Sequence, residues 1–137
     1  MLSPKKTKFR KAHKGRRRLV GTATSRINLK FGEFGLKALE TQWISAKQIE
    51  AVRRTVMHHF KRKGKIWLRI FPDKPVTAKS AETPMGMGKG AVDHYVAPIK
   101  KGTIILEATG VDKETAEEAF RLASSKLPVK TQFVSQI

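Results

Sequence analysis

The chain has no cysteine, a single tyrosine and no acidic residue before Glu33. Without cysteine there is no disulfide framework and no thiolate metal site, a composition that suits a reducing compartment. The four histidines are scattered and do not supply a zinc site instead. Long apolar runs are missing too. Thr103-Ile104-Ile105-Leu106 is typical of what is present, and a membrane-spanning helix needs roughly 20 apolar residues, so no membrane segment is expected. The start is basic but lacks the apolar core of a secretion signal. At 137 residues, 39% of them hydrophobic, the chain can build one packed domain with a tail, and not two.

What the chain has in excess is positive charge, placed unevenly. The formal net charge is +18; residues 1–79 hold 22 Lys and Arg against 4 Asp and Glu, whereas residues 80–137 hold 7 against 7. A compact domain with so one-sided a field repels itself, and a polyanion bound to the basic side removes the repulsion. Phosphate backbones are the commonest such partner.

Residues 1–25 form a basic arm in which Lys5, Lys6, Lys8, Arg10, Lys11, Lys14, Arg16, Arg17 and Arg18 all precede Leu19. Alone, such a segment is disordered. A solvated charge run is the ordinary outcome, whereas cations interspersed with the aromatic Phe9 suit an arm that folds onto RNA.

Residues 26–137 read as a single domain. Ile27, Leu29 and Phe31 alternate with polar residues as a half-buried strand does, and Gly32 and Gly35 bracket an expected turn. Ser45 and Gln48 have the spacing of a capping box. Ile49, Val52, Val56 and Phe60 then recur at helical spacing, with Lys47, Arg54, His58 and Lys61 on the opposite face. Lys61, Arg62 and Lys63 crowd the last turn, where they either complement the helix dipole or extend the basic face, and Gly64 is the expected stop. Residues 66–71 read as a strand ended by Pro72 and Pro75, because proline does not suit a paired ladder. Trp67 and Phe71, with Arg69 between them, are either a stacking platform for bases or the second apolar face of a strand covered on both sides.

Residues 78–90 follow neither period and are expected to form a mobile glycine-rich loop with Glu82, Pro84, Met85, Gly86, Met87, Gly88, Lys89 and Gly90. Residues 92–97 and 103–108 read as strands joined in a hairpin across residues 98–102. Asp112 is placed to cap a second helix whose apolar face holds Ala116, Ala119, Phe120, Ala123 and Leu127; Pro128 ends it, and residues 129–134 close the chain as a strand.

Catalytic motifs fail on context. Gly86-Met87-Gly88-Lys89-Gly90-Ala91 matches G-x-G-x-x-A loosely, but a dinucleotide fingerprint follows a strand and opens a helix. In a P-loop, Gly90 would be Ser or Thr. A glycine-rich loop tipped by lysine still approaches a phosphate chain closely through its amides, which is a binding role. Asp93, His94 and Tyr95 alternate sides of a strand and form no compact constellation, and the adjacent His58 and His59 diverge on their helix. No active site, cofactor, metal or small-molecule substrate is expected.

Several stretches together carry a resemblance: Met1-Leu2-Ser3-Pro4-Lys5-Lys6-Thr7-Lys8-Phe9-Arg10-Lys11, Phe31-Gly32-Glu33-Phe34-Gly35-Leu36, Gln48-Ile49-Glu50-Ala51, Gly64-Lys65-Ile66-Trp67-Leu68-Arg69-Ile70-Phe71-Pro72-Asp73-Lys74-Pro75, Met85-Gly86-Met87-Gly88-Lys89-Gly90 and Lys126-Leu127-Pro128-Val129-Lys130-Thr131. In that order the chain resembles the bacterial type of the large ribosomal subunit protein L-sixteen family, over essentially its whole length. The resemblance implies an α+β fold, with two helices packed on a mostly antiparallel sheet, a basic N-terminal extension and a long glycine-rich loop. It implies a non-enzymatic constituent of the large subunit that binds large-subunit rRNA near the central protuberance, lies among neighbouring ribosomal proteins and joins late in assembly. It also implies a hand in positioning aminoacyl-tRNA near the peptidyl-transferase region. Residues 5–18 and the basic helix face, with Lys47, Arg54, His58, Lys61, Arg62 and Lys63, would hold rRNA, and residues 82–90 would reach towards tRNA. The start matches the family's own, which argues against a cleaved transit peptide and fits a ribosome in the cytoplasm or in an organelle that encodes the protein.

One departure stands out. The family's loop usually reads Glu-x-Arg-Met-Gly, and Pro84 stands at the arginine position, so a cation, an amide donor and a known hydroxylation site are lost together. Met87 takes a place that is often small or basic, leaving Lys89 as the loop's main phosphate contact. The composition alone would equally permit a free-standing RNA-binding or RNA-chaperone module, which a high-salt wash would strip from ribosomal particles. A nucleotide-dependent enzyme built on residues 86–90 is the reading least supported by motif context.

Overall fold

The structure, a computed structural model, describes residues 1–15 and 19–136. The described residues form an α+β fold of seven strands and two helices, with the strands in two antiparallel sheets. The four-stranded sheet has the order β3 (Lys65–Leu68), β6 (Ile104–Thr109), β1 (Phe34–Ala38), β7 (Thr131–Ser135). The three-stranded sheet has the order β2 (Gln42–Ser45), β5 (Ala91–Ile99), β4 (Lys74–Ala78). Helices α1 (Ala46–His59) and α2 (Lys113–Ser124) pack on each other. Both contribute to one core with Leu36, Ile44, Ile105 and Leu106.

Helix α1 begins where its sequence signature places it. Ser45 Oγ accepts from the Gln48 amide at 3.2 Å, and Gln48 Oε1 accepts from the Ser45 amide at 2.9 Å, satisfying two of the donors that a helix start leaves over. Ile49, Val52 and Val56 are buried as their spacing requires, and Phe60 joins them just past the helix. Asp112 stands at the N-cap of α2, but its side chain makes no capping hydrogen bond.

Other expectations are corrected. The turn expected between Gly32 and Gly35 is the start of β1, and the alternating residues before it form no strand. Residues 26–33 instead lie as an irregular strap against the four-stranded sheet, with the Ile104 amide donating to Arg26 O at 2.7 Å and the Glu33 amide to Ala108 O at 3.1 Å. Gly32 is what lets the strap come so close: a Cβ there would stand 2.7 Å from the Ala108 carbonyl oxygen.

Strands β5 and β6 are not a hairpin. β5 pairs with β2 and β4, β6 pairs with β1 and β3, and the short connection between them crosses from one sheet to the other. Pro72 lies outside the strands as expected, but Pro75 and Pro98, also expected outside, lie in strands at positions that need no donor. Pro75 is in the edge strand β4, and Pro98 is paired only with Trp43 of β2, beyond the reach of β4. Strand β3 stops at Leu68, short of the expected Phe71.

Candidate nucleic-acid interface

The arm is irregular in conformation but tied to the domain at both its ends and its middle. Leu2 packs on the core, and Met1, Leu2 and Ser3 share a cleft with Ser45, Ala46 and Tyr95. Further on, Lys11 Nζ donates to Lys89 O at 3.1 Å, Lys89 Nζ donates to Ala12 O at 2.6 Å, and Lys74 Nζ donates to Lys14 O at 2.5 Å. At the far end the Ala23 amide donates to Lys101 O at 3.0 Å. The middle of the arm therefore lies against β4 and the loop before β5. Lys5, Lys6, Lys8, Arg10 and Lys14 are exposed, and Lys11 is half-buried. Among the described residues no carboxylate forms an ion pair with any of these six. Arg16, Arg17 and Arg18 lie outside the described residues.

On α1, Lys47, Arg54 and His58 are exposed, and Lys61, Arg62 and Lys63 continue the surface past the helix end. That end differs from expectation. Gly64 does not stop the helix; Lys61 does, in the left-handed conformation at φ 54°, followed by Arg62 at φ 64°. The Arg62 amide donates to Met57 O at 3.2 Å and the Lys61 amide to His58 O at 3.1 Å, the paired bonds of a Schellman motif. Gly64 serves the next contact, since a Cβ there would stand 2.4 Å from Thr109 O. A left-handed non-glycine residue costs about 1–2 kcal/mol, while a cation at a helix C-terminus gains about 0.3–1 kcal/mol. Dipole complementation by the three cations is of the same order as the cost of the two left-handed residues, and all three side chains remain exposed.

The basic face also contains a carboxylate that spacing alone left unread. Glu50 accepts from both Arg53 and Arg54, the latter at 3.1 Å. The Arg53 hydrogen bond is the main reason its carboxyl is held down at about 2, with burial opposing and the charges of both arginines helping. One carboxylate offsets only one of the two arginines, so this helix keeps positive charge at the 75% exposed Arg54 as well as on Lys47 and the Lys61-Arg62-Lys63 corner.

Between β4 and β5, residues 79–90 hold neither helix nor strand. Glu82, Pro84, Met85, Gly86, Met87, Gly88 and Lys89 are exposed, and Gly90 is half-buried. Met85 and Met87 stand furthest out, almost wholly in solvent. Lys79 Nζ donates to Gly86 O, and the Ser80 and Thr83 hydroxyls meet at 2.6 Å. Lys89 does not tip the loop: its ammonium is turned back onto the arm at Ala12 O.

A further cluster escaped the sequence reading. Glu107, fully buried on β6, accepts through Oε1 from the amides of Lys30, Phe31 and Gly32 at 2.8, 3.0 and 3.1 Å, and through Oε2 from Arg69. Arg69 also donates to Asn28 O at 3.2 Å. Burial pushes the Glu107 carboxyl up, but the Gly32 amide, then Arg69 and the other two amides, outweigh it and hold it below the ordinary range. The visible signal was a lone acid inside the apolar run Ile104-Ile105-Leu106-Glu107-Ala108. Over this clasp the Phe31 and Trp67 rings stack at 5.9 Å, so Trp67 is covered by the strap, and Phe71 is no part of the pair.

Nothing in the arrangement points to catalysis. Asp93 Oδ2 and His94 Nδ1 lie 2.7 Å apart, contrary to strict alternation, because the ladder slips between Val76 and Thr77 and leaves Asp93 as the extra residue of a bulge. Both are exposed, with no nucleophile bonded to them. Among the described residues no cluster of His, Asp or Glu could hold a metal ion, and no helix is long and apolar enough to cross a membrane.

Comparison with known proteins places the chain in a family. The model of the family described as Ribosomal protein L16p/L10e matches residues 4–134. The large ribosomal subunit protein uL16c of Gracilaria tenuistipitata is 56% identical over 136 residues, covering 99% of each chain. The large ribosomal subunit protein uL16 of Rhodopseudomonas palustris (strain HaA2) is 55% identical over 137 residues, covering all of this chain and 98% of the other. A uL16c of Thalassiosira pseudonana is 55% identical over 134 residues. With a match that runs nearly end to end, the chain belongs to the ribosomal protein L16p/L10e family, and it is a structural protein, not an enzyme.

Proposed function

We propose that the chain is a constituent of the large ribosomal subunit that binds large-subunit rRNA near the central protuberance, among neighbouring ribosomal proteins. It joins late in assembly and helps position aminoacyl-tRNA near the peptidyl-transferase region. The observation that carries the rRNA reading is the set of arm cations, Lys5, Lys6, Lys8, Arg10, Lys11 and Lys14, that have no carboxylate partner among the described residues. Phosphates neutralise such charges with release of counterions, so affinity falls steeply with salt. Relatives named both uL16 and uL16c suit a ribosome in the cytoplasm or in an organelle.

The tRNA reading rests on residues 82–90. Pro84 supplies no cation, and Lys89 is bonded to the arm, so arm and loop act as one body and Met85 and Met87 form its leading edge. Photoreactive groups at Arg10, Arg54 and Lys89 in assembled large subunits test both parts. Arg10 and Arg54 are expected to crosslink to rRNA, and Lys89 to rRNA or tRNA at the peptidyl-transferase region. Failure of Arg10 and Arg54 to mark rRNA would remove the anchoring role; failure of Lys89 alone would remove the tRNA role.

A further inference from the structure

We propose that Phe31 is a stacking site for an unpaired RNA base, an interaction more specific than the backbone anchoring described above and resting on that rRNA reading. Phe31 is 53% exposed although the backbone that carries it is pinned at three successive amides by buried Glu107. A large apolar side chain held rigidly and left half in water forgoes much of the benefit of burial. Trp67 backs the ring from the sheet at 5.9 Å with 22° between the planes.

Two cations lie over the ring. Lys30 Nζ lies 5.8 Å and the Arg69 guanidinium 5.4 Å from its centroid, and Lys65 Nζ lies 5.2 Å from the centroid of Trp67. The charge of Glu107 is taken up inside by Arg69 and the three amides. Lys30 and Lys65 have no carboxylate partner among the described residues. An aromatic platform with exposed ammonium groups at it suits one nucleotide: the base takes the place of Lys30 on the ring, and the phosphates fall to Lys30 and Lys65. A protein partner would have to bury those two ammonium groups, so the charge favours RNA.

The test compares full-length wild type, F31A, F31L and F31Y for binding a short oligouridylate and an RNA duplex, with a thiouridine-substituted oligonucleotide crosslinked to wild type. F31L keeps apolar packing on Trp67 but removes the aromatic face. F31A and F31L are expected to weaken single-strand binding by about fivefold to a hundredfold, with duplex binding unchanged and F31Y near wild type. The crosslink should map to the peptide containing Phe31, a result that does not depend on the variants folding. Equal weakening on both RNAs, crosslinks confined to the arm or α1, or loss of a neighbouring ribosomal protein with RNA binding intact would overturn the stacking site. Failure of wild type to bind either RNA would instead overturn the rRNA reading beneath it.

Discussion

Residues 1–79 and 80–137 contribute alike to the core, the first with Leu36, Ile49 and Val52, the second with Ile105, Leu106 and Phe120, yet they treat charge in opposite ways. The contrast is clearest between the helices. Helix α1 has no acid in its first turn and runs into Lys61-Arg62-Lys63, whereas α2 starts with Glu114 and pairs Arg121 with Glu118. The Arg121 hydrogen bond holds the Glu118 carboxyl below its ordinary range. Packing against one another asks the same of both helices, so the difference in their outer faces reflects what lies outside the chain. Residues 80–137 are balanced in number, whereas residues 1–79 carry the excess of cations, and those of the arm have no carboxylate partner among the described residues. Glu107 joins the two, reaching from β6 to hold the strap of the basic region.

The largest way to break this comparison is E107Q. It leaves Arg69 buried without its partner carboxylate, a loss of about 3–5 kcal/mol. In a domain of this size that lowers Tm by about 10–20 °C, read by circular dichroism. The same carboxylate gives the pH dependence a sign. The folded protein holds Glu107 and Glu50 below their ordinary ranges, so the stability they contribute is complete above about pH 4.3. It is lost as pH falls through their folded values, for Glu50 about 2. Acid unfolding of E107Q should accordingly be shallower than that of wild type.

A smaller effect separates the two roles of the α1 corner. K61G relieves a left-handed residue at φ 54°. It should raise stability by about 0.5–1 kcal/mol once the added chain entropy of glycine is counted. It should also make the salt dependence of rRNA binding shallower by about one unit of log–log slope. Gain in stability with unchanged RNA binding would mean that the corner serves only the helix. R121Q is the smallest: removing an exposed pair on α2 should leave both Tm and the salt slope at wild-type values.

How much of this was legible follows from range. The Ser45–Gln48 capping box and the buried face of α1 depend on residues a few positions apart and were readable directly. The strap was not, because Ile27, Leu29 and Phe31 alternate as a strand would, and only a carboxylate 75 to 77 positions away engages the amides of Lys30, Phe31 and Gly32. The sheet to which β6 belongs was equally hidden, since a short connection from β5 says nothing of which strands flank it. Gly64 looked like a helix stop because glycine is the usual left-handed residue; here Lys61 adopts that conformation and Gly64 makes room for Thr109. The cations of the arm were plain in the sequence, but the turn of Lys89 back onto Ala12 depends on tertiary placement.

The central claim is that the arm of the basic region binds phosphate without holding the fold together. The most direct measurement is the salt dependence of binding to large-subunit rRNA for wild type and for K5Q/K6Q/K8Q/R10Q, with Tm recorded for both. The account predicts a log–log slope shallower by about 0.9 for each phosphate that the variant no longer neutralises, at an unchanged Tm. An unchanged slope, or a variant that unfolds, would contradict it.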